Sequence, residues 1–489
     1  MGEAPTQLRV QFNGSLRIRG RPERLTGEAG VVLLRETLDR LGTIDRLREK
    51  LIDPRAQDQI THPLSELIRT SILLRAQGWR DQDDADALRH DPLLRLGVSD
   101  RRGTSPLQTR PDEETTPPSR NPPVPDGLAS QPTLSRLHRD LSTEENRTTL
   151  RKELLTTAAH RLRASRGGHR PRFLTIDVDS VPVEVEGEQE GSVYNGYYHA
   201  RVFHPLVAVC GETGDLLDVI LRPGNAHTAE GAVDFVLPLL DRAEAEVCQV
   251  ASVRIDAGFP EEKLLSAMEN RSLPVGYVAR VKNNSKLDYL AGPFLNRPPG
   301  RPPSQPRTWF HELTYQAKDW SKARRVVLVV QEEPENLFLN WFWLITNWTV
   351  DQIGGEELLG TYRQRGTAEG HLGELMDVLA PALSSTTKQK SHYQHHEPKK
   401  RTPSGNPFAI NAVVLLLNAL AYNVAHAVRT VVEQATGEGW SLKRVRERVL
   451  RVAGRVLVHG RRATLVLNEA VARIWKRLWS RLGALQFTP

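Results

Sequence analysis

Tyr362, Arg365 and Glu369 follow one another at spacings of three and four residues. On a helix, at about 100° per residue, their side chains fall within about 60° of one another. A tyrosine, an arginine and a carboxylate on one face make a polar site, not a core stripe. The natural partner of such an arginine is a phosphate or the carboxylate one turn on. Two Asp-bearing, strand-like segments lie upstream, one around Asp177 and Asp179 and one around Asp256. Three gathered carboxylates repel one another unless a cation offsets their charge. Such a set suits metal-dependent work on phosphodiesters, in which two divalent cations about 3.5–4 Å apart activate a water or hydroxyl and neutralise phosphate charge. Magnesium, which takes hard oxygen ligands and keeps several waters, is the expected ion. Mn2+ is its possible substitute.

The individual positions carry different weight. Asp177 and Asp179 are two apart on a strand and share a face, so alternation does not choose between them. Asp256 ends an apolar strand just before Ala257 and Gly258, whose small size would let a metal and a DNA backbone approach closely. A strand-end Asp capping the next helix is the simpler alternative. Glu374 falls about 140° round the helix from Glu369, and Asp377 about 80°. Trp341, Trp343 and Trp348 could offer a ring to an unpaired base. Trp341 and Trp343 share a strand face, which favours the core for at least one of them and leaves Trp348 as the DNA-contact candidate. His392, His395 and His396 cluster in a polar stretch that reads as a solvated loop.

These residues need elements to position them. Residues 26–100 carry apolar side chains at helical intervals, and a Pro- and Thr-rich linker near 101–126 precedes further helix. From about 171 to 287 the pattern becomes strand, strand, helix, strand, helix, strand, which is an α/β arrangement. Residues 288–350 break the rhythm with a Pro-rich loop and three strand-like segments, read as an antiparallel β insertion lodged in the α/β domain. The expected division is a helical region at 1–170, an α/β unit at 171–287 and 351–430 split by that insertion, and a basic helical region at 431–489.

The 489 residues carry a net charge of +7 and a pI of about 9.4, so a polyanionic partner is expected. By count, residues 430–489 hold 12 Lys and Arg against 4 Glu, more than the whole-chain excess. Arg444, Arg461 and Arg462 in this region are candidates for tracking a DNA backbone. Cys210 and Cys248 are the only cysteines, which excludes a disulfide framework and a cysteine-based zinc site. The N-terminal twenty residues lack the apolar run of a signal peptide, so a cytoplasmic, nucleoid-associated setting is expected. The stretch Phe408 to Val428 is long enough to span a bilayer, but Asn411, Asn418, Asn423 and His426 mark one polar stripe along it. A buried helix, with no membrane partner, is the expected outcome.

Several long segments in order resemble insertion-sequence transposases of the DDE class, whose third carboxylate lies in a Tyr-x2-Arg-x3-Glu-x6-Lys signature. The likeness is closest to the IS-thirteen-eighty group. It runs through residues 128–137, 179–206, 221–240, 254–259, 362–385 and 408–427. The resemblance implies an RNase H-like catalytic core across 171–287 and 351–430, a helical DNA-binding region at 1–170 and a helical C-terminal region, metal ligands at Asp179, Asp256 and Glu369, and double-stranded DNA as partner. That DNA comprises terminal inverted repeats and target. A homodimer on DNA is expected because transposition joins two ends. Asp179, followed by Ser180, fits the family's first Asp better than Asp177, which remains the alternative. Tyr362 and Arg365 of the signature would meet DNA. Where the signature has Lys, Met376 stands, and methionine cannot meet a phosphate as a point charge. A catalytically impaired or domesticated DNA-binding protein is therefore the alternative function.

Overall fold

The computed structural model describes residues 8–483 except 10, 14, 19–22, 102–106, 108–126, 170, 298, 301–302, 387–404 and 460–461. Most of the Pro-rich linker, the three-histidine cluster and Arg461 lie outside the described residues.

Helices lead the chain. α1 (Val31–Arg40) and α2 (Leu64–Ala76) are packed among others, and α2 is buried along its whole length. Among the buried charged residues of α2, Arg69 pairs with Asp100, and Arg75 donates to the Ser71 carbonyl at 2.9 Å. α3 (Glu144–Ser165) starts where Thr143 accepts from Asn146 N at 3.3 Å, with Glu144 and Glu145 at the positive end of the helix dipole.

The period then changes from helical to alternating. β1 (Phe173–Ser180) turns Leu174, Ile176 and Val178 into one core and leaves Thr175, Asp177 and Asp179 on the opposite face. β2 (Leu206–Cys210) and β3 (Leu216–Ile220) continue as an antiparallel meander. α4 (Ala232–Glu246) carries the chain to β4 (Gln249–Ile255), and α5 (Glu262–Glu269) to β5 (Gly276–Val281). β1, β4 and β5 are mutually parallel, and parallel neighbours need such crossovers.

Three more strands follow: β6 (Arg307–Tyr315), β7 (Arg324–Glu332) and β8 (Asn340–Thr346). Where the sequence pattern suggests an antiparallel β insertion lodged in the α/β domain, these strands are antiparallel to one another and extend the same sheet. β8 pairs antiparallel with β5, giving one eight-stranded sheet in the order β6-β7-β8-β5-β4-β1-β2-β3. The physical reason is two-sided burial. Val326, Leu328, Val330, Trp343 and Ile345 join the core beneath β1 and β4, while Val327, Val329, Phe342 and Leu344 face a smaller cluster on the other side. A free-standing hairpin would leave one of those faces wet.

α6 (Gly355–Arg363) and α7 (Arg365–Glu374) are two segments of one helical path. Gln364 joins them with φ −61° and ψ −18°, so the face that begins at Tyr362 carries across the joint. The path itself starts at Gly355, seven residues before Tyr362. α8 (Pro407–Thr436) is the long apolar helix, and 89% of its most apolar window is buried inside the protein. Most of its polar stripe is bonded internally. Asn411 exchanges hydrogen bonds with the Ser385 backbone, and Asn423 does so with the Leu216 backbone at 2.8 and 2.9 Å.

The basic C-terminal region departs from its helical reading. β9 (Gly454–His459) and β10 (Arg462–Leu467) form a hairpin, and β9 also pairs with Leu25–Thr26. Val456 is buried and Val458 half-buried while Arg455, Leu457 and His459 are exposed, a period of two that overrides the Arg and Val spacing. α9 (Glu469–Leu482) then docks through Trp475, Leu478 and Leu482. The N-terminal helices, α8 and these C-terminal elements share one hydrophobic core with the outer face of β2 and β3.

Candidate active site

The register of the parallel pair sets the geometry. Ile255 lies opposite Val178, so Asp256, which follows β4, emerges beside Asp179 near the end of β1. α7 brings Arg365 and Glu369 to the same end. Arg365 is the hub: Nη2 donates to Asp179 Oδ2 at 2.7 Å, and Nη1 donates to Glu369 Oε1. Burial works against its charge, yet Asp179, Asp256 and Glu369 outweigh burial and raise the guanidinium pKa above its ordinary value. One arginine thus feels all three carboxylates. Its Nε is buried without a hydrogen-bond partner, an unfilled donor beside a ring of acceptors.

The surplus of negative charge shows at Asp179. Burial pushes its carboxyl up to about 6; Arg365 and the Ser180 N–H oppose the rise, and Asp256 and Glu369 add to it. Tyr362 stands at the same place, its hydroxyl pKa raised by burial, lowered by Arg365 and Arg280 and raised by Asp256 and Glu369.

Asp177 has a different role in the geometry. It is buried and receives a two-pronged contact from Arg254, at 2.6 Å on each carboxylate oxygen. Arg254 also reaches Gln364 Oε1 at 2.8 Å and the Thr361 carbonyl at 3.3 Å. This ion pair ties β1 and β4 to the joint between α6 and α7, and so positions Glu369.

Other sequence candidates are placed elsewhere. Trp348 is half-buried with its ring over Gly276, where any β-carbon would collide with it, and it packs on the small cluster shared with Tyr362. Trp343 is fully buried and Trp341 packs on the same core. Gly258 lies against Thr228, so its small size serves packing. Arg444 stacks over Trp440 at 3.8 Å and pairs with Glu438 at 3.2 Å, whereas Arg462 is exposed at the start of β10. Met376 lies in a π-helical turn, Leu375–Leu379, half-buried against the core near Arg80 and Pro182.

Sequence reasoning missed two sets of residues. Arg280, exposed on β5, lies 4.9 Å from the Phe342 ring and close enough to act on the Tyr362 hydroxyl. Behind α7 lies a buried network: Arg429 pairs with Glu374 and donates to Nδ1 of both His371, at 3.0 Å, and His426, at 2.6 Å. The Tyr422 hydroxyl also donates to His371 Nδ1 at 3.0 Å. Burial, with nearby arginine charge, pushes His371 down to about 4 and His426 well below the usual histidine value, so both are neutral acceptors. The only sequence trace of this network was the polar stripe on α8.

The donor set suits a hard divalent cation, since it offers carboxylate oxygens and neither sulfur nor imidazole. Among the described residues no three His, Cys, Asp or Glu side chains already converge on one ion. Arg365 supplies the balancing positive charge between Asp179 and Glu369. The residues fit a cation in chemistry and in their surplus of negative charge.

A family model described as "Transposase DDE domain group 1" matches residues 8–486. No curated protein matches the chain. Among solved structures, the chain is similar to one described as "Cryo-EM structure of piggyBac transposase synaptic complex with hairpin DNA", at 12% identity and a TM-score of 0.37, over 85% of this chain and 78% of that one. By the family match, the chain belongs to the DDE transposases.

Proposed function

We propose that this DDE transposase is an active DNA transposase that binds the terminal inverted repeats of its own insertion sequence, cuts a donor strand and joins it to target DNA. The observation that carries this reading is Arg365, bonded to both Asp179 and Glu369, with Asp256 near enough for its charge to act on the same guanidinium. Three carboxylates around one guanidinium form a site short of positive charge, beside an unfilled arginine donor.

The sheet order supports an RNase H-like core. Three antiparallel strands (β3, β2, β1) are followed by two parallel ones (β4, β5), with the third carboxylate on a helix laid across them. In this reading Asp179, Asp256 and Glu369 would hold Mg2+, or Mn2+ in its place. Bound divalent cations supply water activation and neutralise phosphate charge. Arg365 and Tyr362 orient the scissile phosphate, and the Asp177–Arg254 pair keeps α7 in place. Hydrolysis breaks the bond between phosphorus and the 3′ oxygen of the donor strand. The freed 3′-hydroxyl then attacks a target phosphodiester, releasing a target 3′-hydroxyl. Arg462 and the basic C-terminal region follow the duplex backbone outside the site, together with the N-terminal region, 1–170. Two copies on DNA join the two ends in the cytoplasm, at the nucleoid.

The Tyr362, Arg365 and Glu369 face supports the family signature and the IS-thirteen-eighty grouping, with Met376 as its one departure. Met376 also favours a second reading, a transposase-derived DNA-binding protein without full catalysis. The test is cleavage of DNA carrying the element's own ends, with magnesium, by the full-length protein and by Glu369→Gln. Loss of cutting with retained DNA binding is expected. Equal cutting by both proteins rejects the site. If neither cuts while both bind the ends, the second reading stands.

A further inference from the structure

Three of the chain's nine tyrosines lie within five residues, at 194, 197 and 198. They stand on a hairpin in which Val193–Asn195 pairs with Ala200–Phe203. Tyr197 is 85% exposed and Tyr194 62% exposed. Packing does not explain either ring, yet the base beneath them is well held. Arg201 Nη1 donates to the Ser192 carbonyl at 2.6 Å, and Gly224 N donates to the Gly191 carbonyl at 2.9 Å. Gly224 sits so close to the hairpin that a β-carbon would collide with the Val202 carbonyl. At the tip, Asn195 Oδ1 accepts from Tyr197 N at 2.9 Å, and His199 takes the left-handed conformation at φ 53°. The Tyr197 and Tyr198 rings meet edge to face, with centroids 5.0 Å apart.

The hairpin continues directly from the Asp179 strand. Val183 and Glu184, just beyond the end of β1, pair with Phe203 and Val202. Tyr198 is half-buried and within electrostatic reach of Asp179: burial first, then Tyr197 and Asp179, push its hydroxyl pKa up. The feature is therefore a firmly seated turn with a solvent-facing ring, next to a carboxylate of the candidate site.

We propose that the Tyr197–Tyr198 turn stacks on an unpaired DNA base next to the phosphate that is cut. This inference rests on the transposase reading above and adds a substrate feature to it, a locally unpaired strand end. The chemistry favours a base over a phosphate, because the exposed surface of the turn is aromatic. Every base has a π-face, so stacking recognises an unpaired nucleotide whatever its sequence. A tyrosine ring does this at low entropic cost, with only two side-chain torsions to fix. The base-stacking role that the sequence suggests for Trp348 falls to Tyr197, because Trp348 is held against Gly276.

The test uses the full-length chain without added divalent cation, so that binding is read apart from cutting. The probes are a fully paired duplex and the same duplex with a central unpaired bubble carrying 2-aminopurine. The wild-type chain is expected to bind the bubble about tenfold more tightly than the paired duplex and to quench the 2-aminopurine. Tyr197→Ala is expected to lose the preference and the quenching while keeping its affinity for paired DNA. Tyr197→Phe is expected to keep both. Tyr197 is almost fully exposed, so these variants should fold. If the wild type does not prefer the bubble, or Tyr197→Ala keeps the preference, the inference is overturned and the transposase reading stands. A chain that binds neither probe overturns both.

Discussion

Glu369 and Glu374 stand on the same helix and are treated in opposite ways. Glu374 is matched: Arg429 pairs with it, and Leu442 N donates to it at 2.8 Å. Nearby, fully buried Asp215 is paired with Arg161 and accepts from Thr213 Oγ1 at 2.6 Å. Glu369 is 56% exposed and shares a single arginine with Asp179 and Asp256. One side of α7 closes its electrostatic account and fixes the helix to α8. The other side leaves negative charge unmatched at the end of two strands. Balanced charge here marks architecture, and unbalanced charge marks where a ligand of the opposite sign belongs.

The comparison can be broken by mutation. Glu369→Gln and Asp256→Asn should each lower magnesium-dependent cleavage by about a thousandfold or more. Their melting temperatures should be unchanged or higher, since each removes like-charge repulsion. Arg429→Ala, on the balanced side, should do the reverse. It leaves the half-buried Glu374 without its cation and should cost about 1–3 kcal/mol of stability in urea titration. If Arg429→Ala is silent and Glu369→Gln unfolds the protein, the assignment of the two sides is wrong.

A third test uses pH. The Asp179 carboxyl is raised from its ordinary value to about 6, so the folded protein holds this proton more tightly than the unfolded chain does. Stability through this group is therefore greatest below about pH 4 and falls as pH rises toward about 6. A divalent cation competes for the same carboxylate, so it should raise the melting temperature more at about pH 7.5 than at about pH 5. Asp179→Asn should flatten that difference. The smallest effect is expected from Met376→Lys, which adds charge at the rim of the unbalanced side. DNA affinity should rise a few-fold, and the salt dependence should steepen by about one phosphate contact, read by titration at several salt concentrations.

Sequence reading reached the unbalanced side well and the balanced side hardly at all. Tyr362, Arg365 and Glu369 lie within one short helical path, so spacing alone reveals their shared face. Asp179 and Asp256 mark the ends of apolar strands, where a charged residue is conspicuous. The balanced network could not be read because its partners are remote: His426 bonds to Thr213, and Arg429 to Glu374, contacts fixed only by the packing of α8. Asp177 and Asp179 look alike in sequence, and only the neighbouring strand, with Arg254 opposite Asp177, separates them. The C-terminal hairpin was misread because basic residues among valines fit helical and alternating periods alike. In the strands β6 to β8 the pattern was clear, but which edge they join depends on β5, far upstream.

The hydrogen bonds from Asn423 to the Leu216 backbone have a consequence for self-association. A side-chain amide offers one donor and one acceptor, as a neighbouring peptide unit would. At β3 it takes the place of the next strand, and α3 and α8 pack alongside. The Leu216 N–H and carbonyl are therefore closed to pairing with another copy of the chain. The opposite border, β6, has no strand beyond it among the described residues. Edge-to-edge approach of another copy is thereby blocked at Leu216 and left open at β6.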